Sequence, residues 1–540
     1  MRWVRWSYPV LFAIFPLLGM AALDPGWYRL RSAFVVAALM ATATILIAAI
    51  LTALLRTRYS RGAAIDRAAL LTLLIIVAFY GFDRVPRPSA HLHPVLYAAA
   101  LAATVVCALW IRRRRWHDRL FALAPRYLTA MGTLLCAWSI ARVLYYPVAT
   151  QIAIHRSPLV DSLNEPVRTR PGFAGAPRRD VFVIVLDEYP SAQVLRERLA
   201  YDDRPFEDSL RALGFRIPTE LRSNYANTVM SVGSLVNFAH TAGLAATTGP
   251  DSHDYGPAAY LIEHNRAARF LKSQGYRYVF FPSTWYSPTR YSSEADVEFS
   301  PYKHFRLVRR IYRSEFMLDF VNGTILNRVL PRLGDRSVVY RDHVVRELTG
   351  LADVEPTTKP TFVFAHVLMP HVPYVVDAHC RAKLSVHRDT ARAREQLTCT
   401  DSLVLVTVNS IIRRARVAPI IVLQGDHGSQ WLNVFASRTR LPSPAQAAER
   451  FRPFGAYYLP AGGASAVPDT TSIVNILRHV FSYYYGADLP PLPNTMFYSH
   501  WKFPYRLTQL NPDFTPVGGY TAATAPLPLD SALAAAGAAD

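Results

Sequence analysis

The stretch Val181-Phe182-Val183-Ile184-Val185-Leu186-Asp187-Glu188 decides the fold. Six apolar residues run without a break and end in two acids. A strand buried on both faces reads this way, and such strands belong to parallel sheets covered by helices. Two later stretches repeat the pattern, Thr361–Val367 (TFVFAHV) and Pro419–Leu423 (PIIVL). Helical stretches lie between them, at Asn265–Ser273 and Ser402–Arg414, and Thr471–Tyr485 reads as a late amphipathic helix. This alternation predicts an α/β domain with a central, mostly parallel sheet flanked by helices.

Upstream of the first strand the composition changes. Residues 148–179 carry Pro158, Pro166, Pro171 and Pro177 among scattered charges, which is linker composition. Before them come five apolar runs: Tyr8–Leu23, Ala33–Leu55, Ala68–Phe82, Pro94–Ile111 and Tyr127–Pro147. Ala33–Leu55 holds no charge and is long enough to cross a hydrocarbon core. Five such runs in succession predict a five-helix transmembrane anchor over residues 1–147. The sheet domain then occupies 180–510, and the Ala/Pro-rich tail 511–540 reads as disordered. A chain of 540 residues is in any case longer than one compact core usually serves.

The net charge of +20 invites a nucleic-acid reading, and its distribution removes it. Residues 1–150 hold 17 Arg, no Lys and four Asp, so most of the excess lies in the most apolar part of the chain. Arg2, Arg5, Arg56, Arg58, Arg61, Arg67, Arg112 to Arg115, Arg119 and Arg126 fall on one side of the five runs. Only Arg29, Arg31, Arg84 and Arg87 fall on the other. Positive loops stay in the cytoplasm, so the N-terminus is predicted inside and everything after residue 148 outside. The expected location is a bacterial inner membrane, multi-pass, with the sheet domain on the extracytoplasmic side. The sheet domain has no basic stretch interleaved with aromatics, so no nucleic-acid partner is expected. Of four cysteines, Cys107 and Cys136 fall inside runs, while Cys380 and Cys399 lie in the exported part, where a disulfide between them is expected.

Active sites of open parallel sheets form beyond the carboxyl ends of strands. All three strands lead into residues that suit a metal. The first ends in Asp187-Glu188. The second contains His366 and leads to Pro370-His371-Val372-Pro373-Tyr374. The third leads to Gln424-Gly425-Asp426-His427-Gly428. Between the first and second lies Ser223–Asn237 (SNYANTVMSVGSLVN), with Thr228, Ser223, Ser231 and Ser234 as hydroxyl groups. A divalent ion held by Asp187, Asp426 and His427 would stabilise the charge of a phosphoryl group in transfer. It would also lower the pKa of a coordinated Thr228 hydroxyl and make it a nucleophile. His371 would then hold the phosphate or protonate the leaving group. Oxygen ligands with one imidazole suit Mn²⁺ or Zn²⁺ first, with Mg²⁺ or Ca²⁺ also admissible.

At these residues the sequence resembles the alkaline phosphatase/sulfatase superfamily, in particular membrane-anchored lipoteichoic acid synthases and lipid A phosphoethanolamine transferases. Asp426-His427-Gly428 resembles the late metal-binding motif of that family, and Asp187 its first acidic ligand. Glu188 sits where sulfatases carry a second acid, which implies it as a further metal ligand. Thr228-Val229-Met230-Ser231-Val232 is similar to the Thr-x-x-Ser-Val nucleophile stretch of the transferases. His366 and His371 match two histidines spaced five apart, with His-Val-Pro-Tyr in place of His-Gly-Pro-x-Tyr. The resemblance thus implies Thr228 and His371 as catalytic, His366, Asn224 and Tyr374 as substrate-binding, and Asp187, Glu188, Thr228, Asp426 and His427 around one divalent metal.

Two departures narrow it. The sequence has no Cys-x-Pro-Ser-Arg or Ser-x-Pro-Ser-Arg segment, which counts against true sulfate-ester hydrolysis. No histidine follows His427 until His479, which implies one metal and not two. The expected function is a membrane-bound, metal-dependent phosphotransferase of phosphoglycerol or phosphoethanolamine type. Its expected partners are the lipid bilayer and a lipid-linked or glycan phosphodiester. Hydrolysis of phosphate or sulfate esters is the second reading. A catalytically idle membrane scaffold that keeps the fold is the third.

Overall fold

A computed structural model describes residues 4–23, 30–81, 102–109, 118–171, 173, 178–283, 289–299, 314–330, 336–385 and 388–527. The chain divides into two compact units, residues 1–149 with 304–335, and residues 150–303 with 336–540.

The first unit is helical: α1 (Val4–Leu23), α2 (Leu30–Leu55), α3 (Arg61–Gly81) and α4 (Asp118–His155). Among the described residues three segments are long and apolar enough to cross a membrane, Arg31–Leu55, Arg61–Gly81 and Leu123–His155. Five were expected. Within α1, Ser7–Ala22 is apolar but shorter than the ~20 residues a hydrocarbon core asks for. The fourth run, Pro94–Ile111, lies mostly outside the described residues, and its described part, 102–109, is helical. Phe34, Leu46, Leu54, Leu134 and Trp138 stay exposed on these helices, the outward face that lipid would cover.

The helix Glu315–Asn322 belongs to this unit although it interrupts the sheet domain in sequence. The Ser314 side chain accepts from the N–H of Met317 and starts it. Its Phe316, Phe320 and Val321 pack with Leu17 and Ala21 of α1 and with Ala33 and Val36 of α2, and Phe79 and Tyr80 of α3 join them. These are the helix ends that the arginine distribution assigns to the outer side.

The second unit is built on a six-stranded sheet: β1 (Val181–Leu186), β2 (Arg277–Phe281), β3 (Val297–Glu298), β4 (Thr361–Val367), β5 (Ile420–Gly425) and β6 (Gly455–Tyr458). The spatial order is β3-β2-β4-β1-β5-β6. All neighbours are parallel except β6, which runs antiparallel to β5. Every residue of β1, β4 and β5 is buried, as their unbroken apolar runs require. Around the sheet lie α5 (Thr228–Asn237), α6 (Thr390–Arg414), α7 (Pro444–Phe451) and α8 (Ile473–Tyr485). Val232, Leu235 and Val236 of α5 and Ile473, Leu477 and Val480 of α8 share one apolar core with Val181, Val183 and Val185.

The elements read from the sequence are present. Strands 181–186 and 361–367 match in full, and the third shifts to 420–425. The Asn265–Ser273 helix begins at Arg266, with Asn265 as its cap. The Ser402–Arg414 stretch is the second half of α6. Cys380 and Cys399 form a disulfide, with Cα atoms 5.2 Å apart. Two boundaries differ. Pro158–Asn164, inside the expected linker, is helical and buries Val160 and Leu163. The tail is ordered as far as residue 527, because Phe514 is buried against Val434, Phe451 and Met496. Residues 528–540 lie outside the described part.

Candidate active site

The three chemistry-bearing strands are adjacent, so their ends converge. In register, Val185 sits beside His366 of β4, and Leu186 beside Gly425 of β5. Asp187 and Asp426 are therefore the next residues on neighbouring strands. Backbone hydrogen bonds knit the loops together: the Asp187 N–H donates to Val367 O at 2.9 Å, and the His371 N–H to Asp187 O at 3.1 Å. Asp426 Oδ1 accepts from the N–H of Glu188 at 3.1 Å and of His427 at 3.0 Å. Gly428 lets the chain pass close to α7: a Cβ there would lie 2.0 Å from Glu449 O. The buried Glu449 holds the following loop, accepting from the Ser429 hydroxyl at 2.7 Å and the Leu432 N–H at 3.1 Å.

Asp187, His366 and Asp426 bring one ligand atom each within 4.8 Å of one another, all buried. Burial and the neighbouring Asp426 and Glu188 charges push the Asp187 carboxyl well above the usual range. Burial lifts Asp426 to about 6. Asp187 Oδ1 has no hydrogen-bond partner among the described residues. His427 Nδ1 faces Gly428 O at 3.1 Å, which assigns the proton to Nδ1 and leaves a lone pair on Nε2. That Nε2 stands 3.0 Å from Asp426 Oδ2 and accepts from Arg450 Nη2 at 2.9 Å. Asp426 Oδ2, like Asp187 Oδ1, has no hydrogen-bond partner among the described residues. Crowded carboxylates with unpartnered buried oxygens are what a divalent cation relieves. The residues therefore fit one.

Thr228 opens α5, and its Oγ1 stands 3.0 Å from His427 Nε2. At the first turn of a ten-residue helix it lies where unpaired backbone N–H groups and the helix dipole favour an anion. The rival hydroxyls are occupied by backbone carbonyls. Ser231 donates to Asp426 O at 2.5 Å, Ser223 to Tyr225 O at 2.6 Å, and Ser234 to Ser231 O at 2.7 Å.

Cations complete the site. The buried Arg450 of α7 donates through Nε to Ala226 O at 2.8 Å, through Nη1 to Gly428 O at 3.0 Å, and through Nη2 to His427 Nε2 at 2.9 Å. It thereby ties the approach to Thr228 to the Asp-His-Gly loop. Glu188 is not one of the three clustered ligand groups. It accepts from Arg388 Nη1 and Nη2 at 2.9 and 3.2 Å, and its Oε2 lies 3.0 Å from His371 Nε2. Burial alone would raise Glu188, but Arg388, His371 and Arg450 hold it below the usual carboxylate range.

The chain is similar to bacterial phosphoethanolamine transferases. It matches the C-terminal periplasmic domain of EcEptC from Escherichia coli, in complex with Zn, at 10% identity and a TM-score of 0.39, covering 62% of this chain and 93% of that one. It matches the integral membrane lipooligosaccharide phosphoethanolamine transferase A of Neisseria meningitidis at 12% identity and a TM-score of 0.36, covering 85% and 89%. An alkaline phosphatase superfamily protein from Vibrio parahaemolyticus matches at 12% identity and a TM-score of 0.39, covering 72% and 94%. No protein-family model and no curated protein matches the chain. Likeness at this level carries no weight for function; the arrangement of the side chains does.

Of the residues predicted for the site, Asp187, Asp426, His427 and Thr228 converge. His366, predicted to bind substrate, instead joins the acid cluster, with Nε2 3.9 Å from Asp187 Oδ2 and Nδ1 2.7 Å from Thr289 Oγ1. Burial and His371 hold its ring down to about 3, so it is a neutral imidazole suited to a metal. Glu188 lies outside this cluster. Asn224 is committed elsewhere, donating to Thr495 O at 2.8 Å and accepting from the Val474 N–H at 2.9 Å. Tyr374 is buried and parallel to Trp431, ring centroids 6.5 Å apart, beside a small cavity that Glu188, His371 and Arg388 also line. Sequence reasoning missed Arg388 and Arg450. Neither lies in a motif: Arg388 precedes a helix cap, and Arg450 is one of several buried polar residues in a short helix.

Proposed function

We propose that the chain is a membrane-anchored, metal-dependent phosphotransferase acting through Thr228, with one divalent ion at Asp187, Asp426 and His427. The observation that carries this reading is the Thr228 hydroxyl 3.0 Å from His427 Nε2, at a helix N-terminus beside a buried acid cluster. When bound, the ion supplies charge stabilisation for the phosphoryl oxygens. Thr228 Oγ1 attacks phosphorus after its proton has passed to water, since a bound ion would lower the pKa of this hydroxyl. The bond to the leaving oxygen breaks, and that oxygen takes a proton from water and departs as an alcohol. An acceptor hydroxyl then attacks the phospho-threonine and gives up its own proton, and the Thr228 hydroxyl is restored. Arg450 stabilises the developing charge from a fixed position.

Three features support an extracytoplasmic sheet domain. Arginines concentrate in the loops predicted cytoplasmic. The Cys380–Cys399 disulfide belongs to an oxidising compartment. The helix Glu315–Asn322 packs on the opposite ends of the apolar helices. The substrate is accordingly a phosphodiester of an envelope lipid or glycan.

Hydrolysis is the second reading, since water would resolve the same phospho-threonine. Product analysis with and without a hydroxyl acceptor separates the two. Transfer of the phosphoryl group to the acceptor is expected, and release to water alone in its presence would favour the hydrolase.

A further inference from the structure

We propose that Arg388 is a phosphate-binding arm of the site, clamped by Glu188, and that Glu188, whose carboxylate His371 also faces, is a positioning residue and not a metal ligand. This rests on the phosphoryl-transfer reading above.

Glu188 follows Asp187 directly, yet the two side chains part. The backbone of Glu188 is left-handed, with φ 60°, a region few residues other than Gly, Asn and Asp enter without support. The support is its own N–H, which donates to Asp426 Oδ1 at 3.1 Å. The Glu188 carboxylate is not one of the Asp187, His366 and Asp426 group and lies instead in the fork of Arg388, at 2.9 and 3.2 Å. A second cation, Arg450, stands 3.9 Å from the same carboxylate. A carboxylate neutralised in this way has little to offer a metal.

Arg388 is not a sequestered structural cation. Its side chain is 24% exposed while that of Glu188 is 4% exposed, so the open end of the pair is the guanidinium. It stands 5.8 Å over the Trp431 ring and lines a small cavity with His371, Ser429 and Trp431. A guanidinium has five N–H donors in a planar fork, and the clasp to Glu188 uses two. Its charge also reaches the metal cluster, opposing the raised carboxyl of Asp187. A planar cation fixed by a buried acid, at the open edge of a cluster that takes phosphorus at Thr228, fits a phosphoryl oxygen directed away from the metal. The ligand class is a phosphate ester, with inorganic phosphate as its simplest probe.

The test uses the full chain in detergent, loaded with Mn²⁺ or Zn²⁺, and three readouts: metal per chain, affinity for inorganic phosphate, and kcat/KM on a phosphodiester. Arg388→Ala and Arg388→Lys are expected to bind phosphate about tenfold or more weakly with metal content unchanged, since an ammonium does not reproduce the fork. Glu188→Gln is expected to show the same phosphate loss, again with full metal. The double variant Glu188→Gln/Arg388→Ala is expected to be no weaker than Arg388→Ala alone, as for residues acting as one unit. Loss of the metal in Glu188→Gln would overturn the positioning role. Unchanged phosphate affinity in both Arg388 variants would overturn the arm. Losses that multiply in the double variant would overturn the coupling. Phosphate affinity and metal content need no turnover, so a wild-type protein that transfers nothing would defeat the functional reading without deciding this one.

Discussion

On one side of the β1 end, Asp187 and Asp426 sit together with His366, their charges unrelieved by any cation in hydrogen-bond contact with Asp187 Oδ1. On the other side, one residue further along, Glu188 is gripped by a guanidinium and faced by an imidazole. Both acids are buried, and burial acts on both in the same sense. Yet one carboxyl is pushed up and the other held down, because the neighbours differ in sign. The difference separates two tasks that the sequence presents as a single acidic pair. The like-charged side calls for a divalent ion. The side that is already neutral shapes what binds next to the ion.

Substitutions on the two sides should therefore fail differently. The largest loss is expected for Thr228→Ala, which removes the nucleophile that the acid side serves: kcat falls on the order of 10⁴-fold with metal and phosphate binding largely kept. Asp426→Asn comes next. It should empty the metal site, read by elemental analysis, and lower kcat/KM on the order of 10³-fold. If Asp426→Asn kept its metal, the distinction between the two sides would fail. Arg450→Met leaves the acid cluster intact and removes one fixed charge beside it. Its expected effect is a fall in kcat of about 10²-fold with little change in metal content.

The smallest expected effect is a stability shift with pH. In the metal-free protein Asp426 titrates near 6, while in the unfolded chain an Asp titrates near ~3.9. Between these values the folded protein keeps a proton that the unfolded chain has lost. Its contribution to stability is thus present below about pH 4 and lost as pH rises to about 6. Chelated wild type should lose a few degrees of Tm across that window relative to Asp426→Asn, on the order of 1 °C per kcal/mol at this size. Metal should reverse the slope, since the ion binds the ionised carboxylate.

Much of this was legible in the sequence, for a physical reason. Strands buried on both faces leave long apolar runs, and β1, β4 and β5 are three such runs placed side by side. Acids and histidines that follow a central strand must then meet their counterparts on the next, as Asp187, His366 and Asp426 do. The cations were not legible. Arg388 and Arg450 arrive from the start of one helix and the end of another, far away in sequence, and an arginine at such a place looks like an ordinary surface residue. The turn at Glu188 depends on a left-handed backbone that no composition announces. His366 read as a substrate ligand or a core histidine, because the cross-strand register that brings it to the acid cluster is a property of the sheet. In the first unit, apolar length gave the helices; among the described residues three are long enough to span and one is shorter, and most of the fourth expected run lies outside them.

The most direct test of the central claim is peptide mass spectrometry of the metal-loaded protein, quenched during turnover of a phosphodiester donor. The substituted phosphoryl group should be found on Thr228, and the adduct should be absent from Asp426→Asn. An adduct on Ser223, Ser231 or Ser234, or full turnover by Thr228→Ala without any adduct, would contradict it.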